Sequence, residues 1–242
     1  MAGLEGIDAS TMEVIDALGA VRWAYEPDDP IARPLVRHAD RLPVSVNANG
    51  ERVIEQGRFG MPGFQGRLIT NARSEKLTEA RSWKALFGRT QHHCLTAISY
   101  VVERDAAKKK SYRIQRRDGR LMVVPGLSAV RHYSFASTGN EYDDLGHVQV
   151  TADANDFVAT VHDRFVCELA TPKARDAWMS PEGRDEQELL ALLHAAPNDA
   201  YEMVPIANDV WKRRHDPDAV RPTGEALVWE GGAGPTAQRT LF

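Results

Sequence analysis

The chain has 242 residues, of which 43% are hydrophobic and 26% charged, and its formal net charge is -4. That is the composition of an ordinary globular protein with enough length for a sizeable core. It excludes a polycation that binds nucleic acid over its whole surface. Any such binding must come from local clusters, of which Lys108-Lys109-Lys110, Arg116-Arg117 and Lys212-Arg213-Arg214 are the candidates.

Ser10-Thr11-Met12-Glu13 is a helix-capping pattern, followed by Val14, Ile15, Ala17 and Leu18 and closed by Gly19. Residues 26–50 are rich in Pro and Asp and read as a long ordered loop holding one strand, Leu42 to Asn47. Asn49-Gly50 is a two-residue hairpin signal, with Glu51 to Gln56 as the returning strand. Phe59-Gly60-Met61-Pro62-Gly63-Phe64 sets aromatics beside glycines, either as a ligand-contacting loop or as a turn closing the core. A helix is expected after Ser74, and Ser82 to Phe87 is a second short amphipathic piece. Cys94 to Val102 is apolar and β-rich, which predicts one buried central strand ending on Glu103. Lys110 to Gln115, Asp118-Gly119 and Leu121 to Val124 predict a hairpin.

Residues 126–146 read as a surface excursion. His147 to Thr151 is strand-like and leads through a polar corner to His162, which by itself is either a packed histidine or a group that titrates near neutral pH. Pro172 to Met179 predicts a short helix carrying Trp178. Arg184 to Leu193 is amphipathic, with Leu189, Leu190, Leu192 and Leu193 inward, and Tyr201 to Ile206 is the expected last strand. Past Pro217 the composition becomes that of a linker. Short strands with interspersed helices and no βαβ alternation indicate an α+β protein. We expect a curved, mainly antiparallel sheet or open barrel flanked by helices, one domain over residues 1–220 and a Gly/Pro-rich tail over 221–242.

Cys94 and Cys167 form neither a disulfide framework nor a CxxC pair, which suits a reducing compartment. There is no signal-peptide pattern and no apolar run near the roughly 18 residues a membrane helix needs, so a cytoplasmic, nucleoid-associated protein with no membrane contact is expected. His92-His93-Cys94 would point to opposite faces of a strand and share no ion. No P-loop, GxGxxG or GxSxG motif occurs. Neither a metal nor a cofactor is expected.

Four segments occur in order. They are Asn71-Ala72-Arg73-Ser74-Glu75; Cys94-Leu95 with Glu103 nine residues on; Pro125-Gly126-Leu127; and Val150-Thr151 through Asn155 to Val161-His162-Asp163-Arg164. Together they resemble the SRAP family, the SOS response-associated peptidases, over residues 1–215. Phe59-Gly60-Met61-Pro62 resembles the family's aromatic-Gly-x-x-Pro segment, shortened by one residue.

The resemblance implies a protein that protects abasic sites in single-stranded DNA. In the family, Met1 is removed, and the exposed N-terminal cysteine joins its amine and thiol to the ring-opened aldehyde as a thiazolidine. Carried over by position, Ala2 stands where that nucleophile would be. Asn71 would orient the N-terminal residue, Glu103 would assist Met1 removal and proton transfer, and His162 would act as acid and base on the sugar. Arg73 and Arg164 would grip phosphates, with Gly3 and Phe59 completing the DNA-binding set. The chemistry is coherent, because an amine must be neutral to attack an aldehyde and arginine suits phosphate.

This sequence departs from the family at the N-terminus, with Ala2 in place of cysteine and Leu4 in place of arginine; Val102 and Arg104 also alter the segment around Glu103. Without a thiol no thiazolidine closes. A free Ala2 amine still allows a Schiff base, hence a reversible crosslink or strand cleavage by β-elimination. Ala2 is then an engineered substitution, or the mark of a diverged member with lyase-like chemistry, or that of a catalytically silent DNA-binding relative. Outside the family, the alternative is a hydrolase using His162 with a serine. The C-terminal Gln238-Arg239-Thr240-Leu241-Phe242 resembles the Gln-x-x-Leu-Phe peptides that dock on bacterial sliding clamps, which makes Gln238, Leu241 and Phe242 candidate clamp contacts.

Overall fold

Alternation at a spacing of two governs most of the chain, and strands follow from it. The computed structural model describes residues 4–26, 31–63, 67–135, 139–213 and 216–231. The first half holds β1 (Leu4–Ile7), α1 (Thr11–Leu18), β2 (Arg22–Trp23), β3 (Arg33–Val36), β4 (Arg41–Ala48), β5 (Glu51–Phe59), β6 (Met61–Pro62), β7 (Leu68–Ile69), β8 (Asn71–Arg73) and α2 (Arg81–Lys84). The central strands are β9 (His93–Ile98), β10 (Tyr100–Asp105), β11 (Lys110–Arg116), β12 (Met122–Phe135) and β13 (Asn140–Asp153). Then come α3 (Asp156–Ala159), β14 (Arg164–Val166), α4 (Pro172–Met179), α5 (Glu186–Ala191), β15 (Tyr201–Ile206) and β16 (Leu227–Val228).

β13, β12, β9, β4 and β5 pair in that order, and β5 returns to β13 with Arg58 opposite Gly146 and Phe59 opposite His147. This closes a five-stranded barrel whose return pairing is parallel and whose other pairings are antiparallel. The second sheet, in the order β16-β15-β11-β10-β1-β3, is antiparallel throughout. The protein is therefore α+β, strand-rich and mainly antiparallel, as expected.

Local signals held where the partners are close in sequence. Ser10 and Glu13 form the capping box, with Ser10 N–H donating to Glu13 Oε2 at 2.8 Å, and Gly19 ends α1 at φ +59°. Asn49 and Gly50 take φ of 53° and 84° in the β4–β5 turn, a conformation that glycine and asparagine adopt readily. α4 carries Trp178, which is fully buried and donates from Nε1 to Cys94 O at 3.1 Å.

Six expectations fail. The single strand Cys94 to Val102 is two strands in two sheets. Ser99 is the crossing point, its N–H bonded to Gly6 O at 2.8 Å and its Oγ accepting from Asp8 N–H at 2.7 Å. Lys110 to Gln115 and Leu121 to Val124 do not pair, since β11 lies between β10 and β15 while β12 lies between β9 and β13. Alternation marks a strand without naming its partner. The described residues of 126–146 form paired strands rather than a surface excursion, in register from Gly126 opposite Gln149 to Phe135 opposite Asn140; residues 136–138 lie outside the described residues. A strand, β3, occupies part of the predicted 26–50 loop, and the helix expected after Ser74 is only the 3-10 turn Ser74–Lys76. Past Pro217, Leu227 and Val228 extend the second sheet and Trp229 packs on Phe157 with ring centroids 6.1 Å apart, so this stretch is not all linker. Among the described residues no helix is long and apolar enough to cross a membrane.

Candidate functional site

The end of β13 organises the site. Thr151 is the register partner of Arg73 on β8 and of Val166 on β14, so these two strands flank β13 on opposite edges. Two sequence segments about ninety residues apart, Asn71 to Glu75 and His162 to Arg164, thereby meet at one corner. Asn155 shapes that corner. Its Oδ1 accepts from Val158 N–H at 2.8 Å to cap α3, and its Nδ2 donates to Ala196 O at 2.8 Å.

His162 follows α3, and its N–H bonds to Val158 O at 3.0 Å. Its Nδ1 accepts the Arg164 N–H at 3.0 Å, so in the neutral ring the proton sits on Nε2. Burial lowers its pKa below 6.5, and the positive charge of the chain's amino terminus adds to that against the opposing pull of Asp163. At neutral pH the ring is a base.

Arg164 holds the corner together. It donates to Asp153 Oδ1 at 2.7 Å, Glu75 Oε2 at 3.0 Å and Thr151 O at 2.9 Å. Its guanidinium thus has protein partners, whereas Arg73 is exposed. Asn71 is half-buried, donates to Thr70 Oγ1 at 3.1 Å and is the register partner of Gln149. Phe59 occupies a packing position, buried and stacked on His147 with centroids 5.5 Å apart.

Glu103 lies on β10 in the neighbouring sheet, 1% exposed. Leu4 on β1 is opposite Val102, one residue short of Glu103. Ala2 and Gly3 lie outside the described residues. Gln238, Leu241 and Phe242 also lie outside the described residues.

Sequence reasoning missed Glu5. It is opposite Val101, and its Oε2 accepts from Gln149 Nε2 at 2.8 Å. The same Gln149 amide is 3.2 Å from Thr96 Oγ1, so one side chain links β1, β9 and β13. Burial pushes the Glu5 carboxyl up to about 8. The one signal in sequence was a lone charge within Leu4-Glu5-Gly6-Ile7.

Other polar groups are structural. His93 donates from Nδ1 to Trp178 O at 2.7 Å and accepts the Gly88 N–H on Nε2 at 3.0 Å, so both ring nitrogens are used. A cleft of about 470 Å³ is lined by Arg116, Arg175 and Glu168 among others and includes none of Asn71, Glu103 and His162. Arg116 bonds Asp118 and Glu168, and Arg175 bonds three backbone carbonyls, which satisfies these guanidiniums internally.

The buried groups give a pH signature. Burial lowers His93 to about 4 and His147 to about 3. Folding therefore excludes protons that the unfolded chain binds below 6.5, and the penalty grows as pH falls from 6.5. Glu5 has the opposite sign. Folded, it keeps a proton that the unfolded chain has lost, so stability falls as pH rises from 4.5 to about 8. Each group contributes a slope of about 1.4 kcal/mol per pH unit. Two histidines outweigh one carboxyl up to pH 6.5, and above it the carboxyl acts alone. Urea unfolding from pH 5 to 9 is expected to show maximal stability near pH 6.5, with the decline above it absent in Glu5→Gln. A profile that keeps rising through pH 8 would contradict this.

The family description "SOS response associated peptidase (SRAP)" matches residues 15–213. An abasic site processing protein of Saccharomyces cerevisiae is 29% identical over 163 residues, 65% of this chain and 40% of that protein. The chain thus spans well under two thirds of that relative's length. A crystal structure of a Bacteroides thetaiotaomicron protein superposes with a TM-score of 0.67 at 18% identity, covering 91% of this chain and 99% of that one. A phage-related protein from Bordetella bronchiseptica superposes with a TM-score of 0.63 at 20% identity, covering 85% and 94%. Both share the fold. The family match takes in most of the chain, including Asn71, Glu103 and His162, and on that ground the chain belongs to the SOS response associated peptidase family.

Proposed function

We propose that the protein processes abasic sites in single-stranded DNA through a Schiff base formed by its N-terminal α-amine. The observation that carries this is the corner at the end of β13, where the Arg164–Glu75 bond joins the segments that hold Asn71 and His162, with Leu4 on β1 paired beside Glu103. Family membership and the name of the yeast relative point the same way.

Removal of Met1 by the protein itself frees the amine of Ala2, whose side chain is small enough not to obstruct it. The neutral amine adds to the aldehyde of the ring-opened sugar, and loss of water gives an imine. Glu103 accepts the proton released by the attacking nitrogen. His162, neutral at pH 7, removes a proton from the carbon next to the imine, and the 3′ phosphate leaves by β-elimination. Ala2 offers no thiol to trap the imine as a ring, so the link is reversible or ends in strand cleavage.

Exposed Arg73 is the phosphate contact in this scheme. Arg73→Ala is expected to weaken binding to all single-stranded sequences alike. It should also reduce the slope of log affinity against log salt by about 0.7. An unchanged slope would remove Arg73 from the interface.

The test is borohydride trapping on an oligonucleotide with one abasic site. Expected is a covalent adduct that disappears when the α-amine is acetylated. Tight binding with no adduct would favour a silent DNA-binding relative, the alternative that the missing thiol suggests.

A further inference from the structure

Glu5 and Glu103 project from the same face of the second sheet. Glu5 is directly opposite Val101, and Glu103 is two residues further along β10. Such diagonal neighbours are about 7–8 Å apart at Cα, close enough for two carboxyl groups to act on one small group between them. Both are buried, 2% and 1% exposed. Glu5 Oε2 takes the Gln149 bond, while Glu5 Oε1 has no partner among the described residues. Thr151 Oγ1, equally buried and on the same face of β13 as Gln149, also has none among them. Gln149 and Thr151 are the register partners of Asn71 and Arg73. The Glu5 carboxyl is therefore tied directly to the strand that builds the corner, and it lies three residues from Ala2.

We propose that Glu5 is the acid partner of Glu103, giving up and recovering the proton that expels water when the N-terminal amine condenses with an aldehyde. This rests on the Schiff-base function proposed above. The amine first adds to the aldehyde to form a carbinolamine. The Glu5 carboxylic acid protonates the carbinolamine hydroxyl. The C–O bond breaks, the nitrogen lone pair forms the C=N bond, and water leaves. The iminium then returns a proton to the Glu5 carboxylate, so the sum is amine plus aldehyde giving imine plus water. Glu103 handles the first proton, that of the attacking amine.

Deep burial keeps the proton on Glu5 at neutral pH, against the Gln149 bond, which favours the charged form. Among the described residues, the titratable groups on the same faces of the neighbouring elements are Glu103 and Asp105 on β10, Lys110 and Tyr112 on β11 and His147 on β13. β3 presents Val36 and β9 presents Thr96, neither of which titrates.

The test is the borohydride trapping rate of the full chain on an abasic oligonucleotide from pH 6 to 9, for the wild type and Glu5→Gln. The glutamine keeps the shape and can still accept the Gln149 bond, and its melting temperature reports folding. Expected are a wild-type rate that declines as pH rises through about 8 and a Glu5→Gln rate at least about 10-fold lower with that decline gone. Affinity for the same oligonucleotide should be unchanged. Glu5→Asp should restore part of the rate and the decline. If the wild type traps DNA and folded Glu5→Gln traps it equally fast with the same pH profile, the role of Glu5 is wrong and the Schiff-base function stands. If the wild type traps nothing, both fail.

Discussion

Replacing His162 with alanine is expected to slow adduct processing on abasic DNA by about 10²–10⁴-fold, the usual contribution of a positioned acid–base group. The ring is a poor candidate for a stabilising role. It is partly exposed; its Nδ1 accepts the N–H of Arg164, two residues on, and lies 3.1 Å from Asp163 Oδ1. Truncation should cost no more than about 1 kcal/mol, so folding and activity separate cleanly. The pH profile separates them further. In the wild type, cleavage should rise with pH through a histidine pKa below 6.5, because only the neutral ring removes a proton. In His162→Ala that rise should vanish, and added imidazole should restore part of the rate. Equal cleavage rates in the two proteins would take His162 out of the chemistry.

Gly126→Ala is expected to have the largest effect on stability. A Cβ at this position would lie 2.6 Å from Val148 O and 2.8 Å from Cys94 Sγ. The first contact is with backbone inside a closed barrel, which cannot swing away. Overpacking of this kind costs about 3 kcal/mol or more, which in a domain of this size lowers Tm by roughly 6–12 °C. Gly119→Ala is the control. Gly119 has φ +72° with nothing near its missing Cβ, so only backbone strain of about 1 kcal/mol applies. Thermal melting should rank the two clearly, and a Gly126→Ala protein that melts with the wild type would mean the barrel register is wrong.

Gly126 also shows why part of the fold was hidden in the sequence. Glycines at 126 and 146 resemble loop signals, yet each is there because a neighbouring strand leaves no room for a side chain: Val148 O over Gly126 and the Tyr133 hydroxyl over Gly146. Residues 126–146 therefore read as a surface excursion. Ser99 is similar. It is one polar residue in an apolar run, and nothing local announces that the chain changes sheets there. By contrast, the Ser10–Glu13 cap and the Asn49-Gly50 turn were legible, since their partners are at most a few residues away.

The site divides along the same line. Asn71, Arg73, His162 and Arg164 stood in compact motifs, and the Arg164–Glu75 bond joins the two segments that carry them. Glu5 had no motif. Its significance depends on Gln149, 144 residues away, and on a cross-strand relation to Glu103 that only the second sheet creates. The same distance dependence explains Phe59, whose loop-like context concealed a buried ring stacked on His147.

The central claim is that the reacting nitrogen is the α-amine of Ala2, with the corner at the end of β13 supplying the acid–base chemistry. Peptide mapping by mass spectrometry of the borohydride-reduced adduct tests it most directly. Expected is a single modified peptide, beginning at Ala2 and carrying the reduced sugar remnant on its α-nitrogen. A remnant on a lysine side chain, or scattered over several lysines, would contradict it.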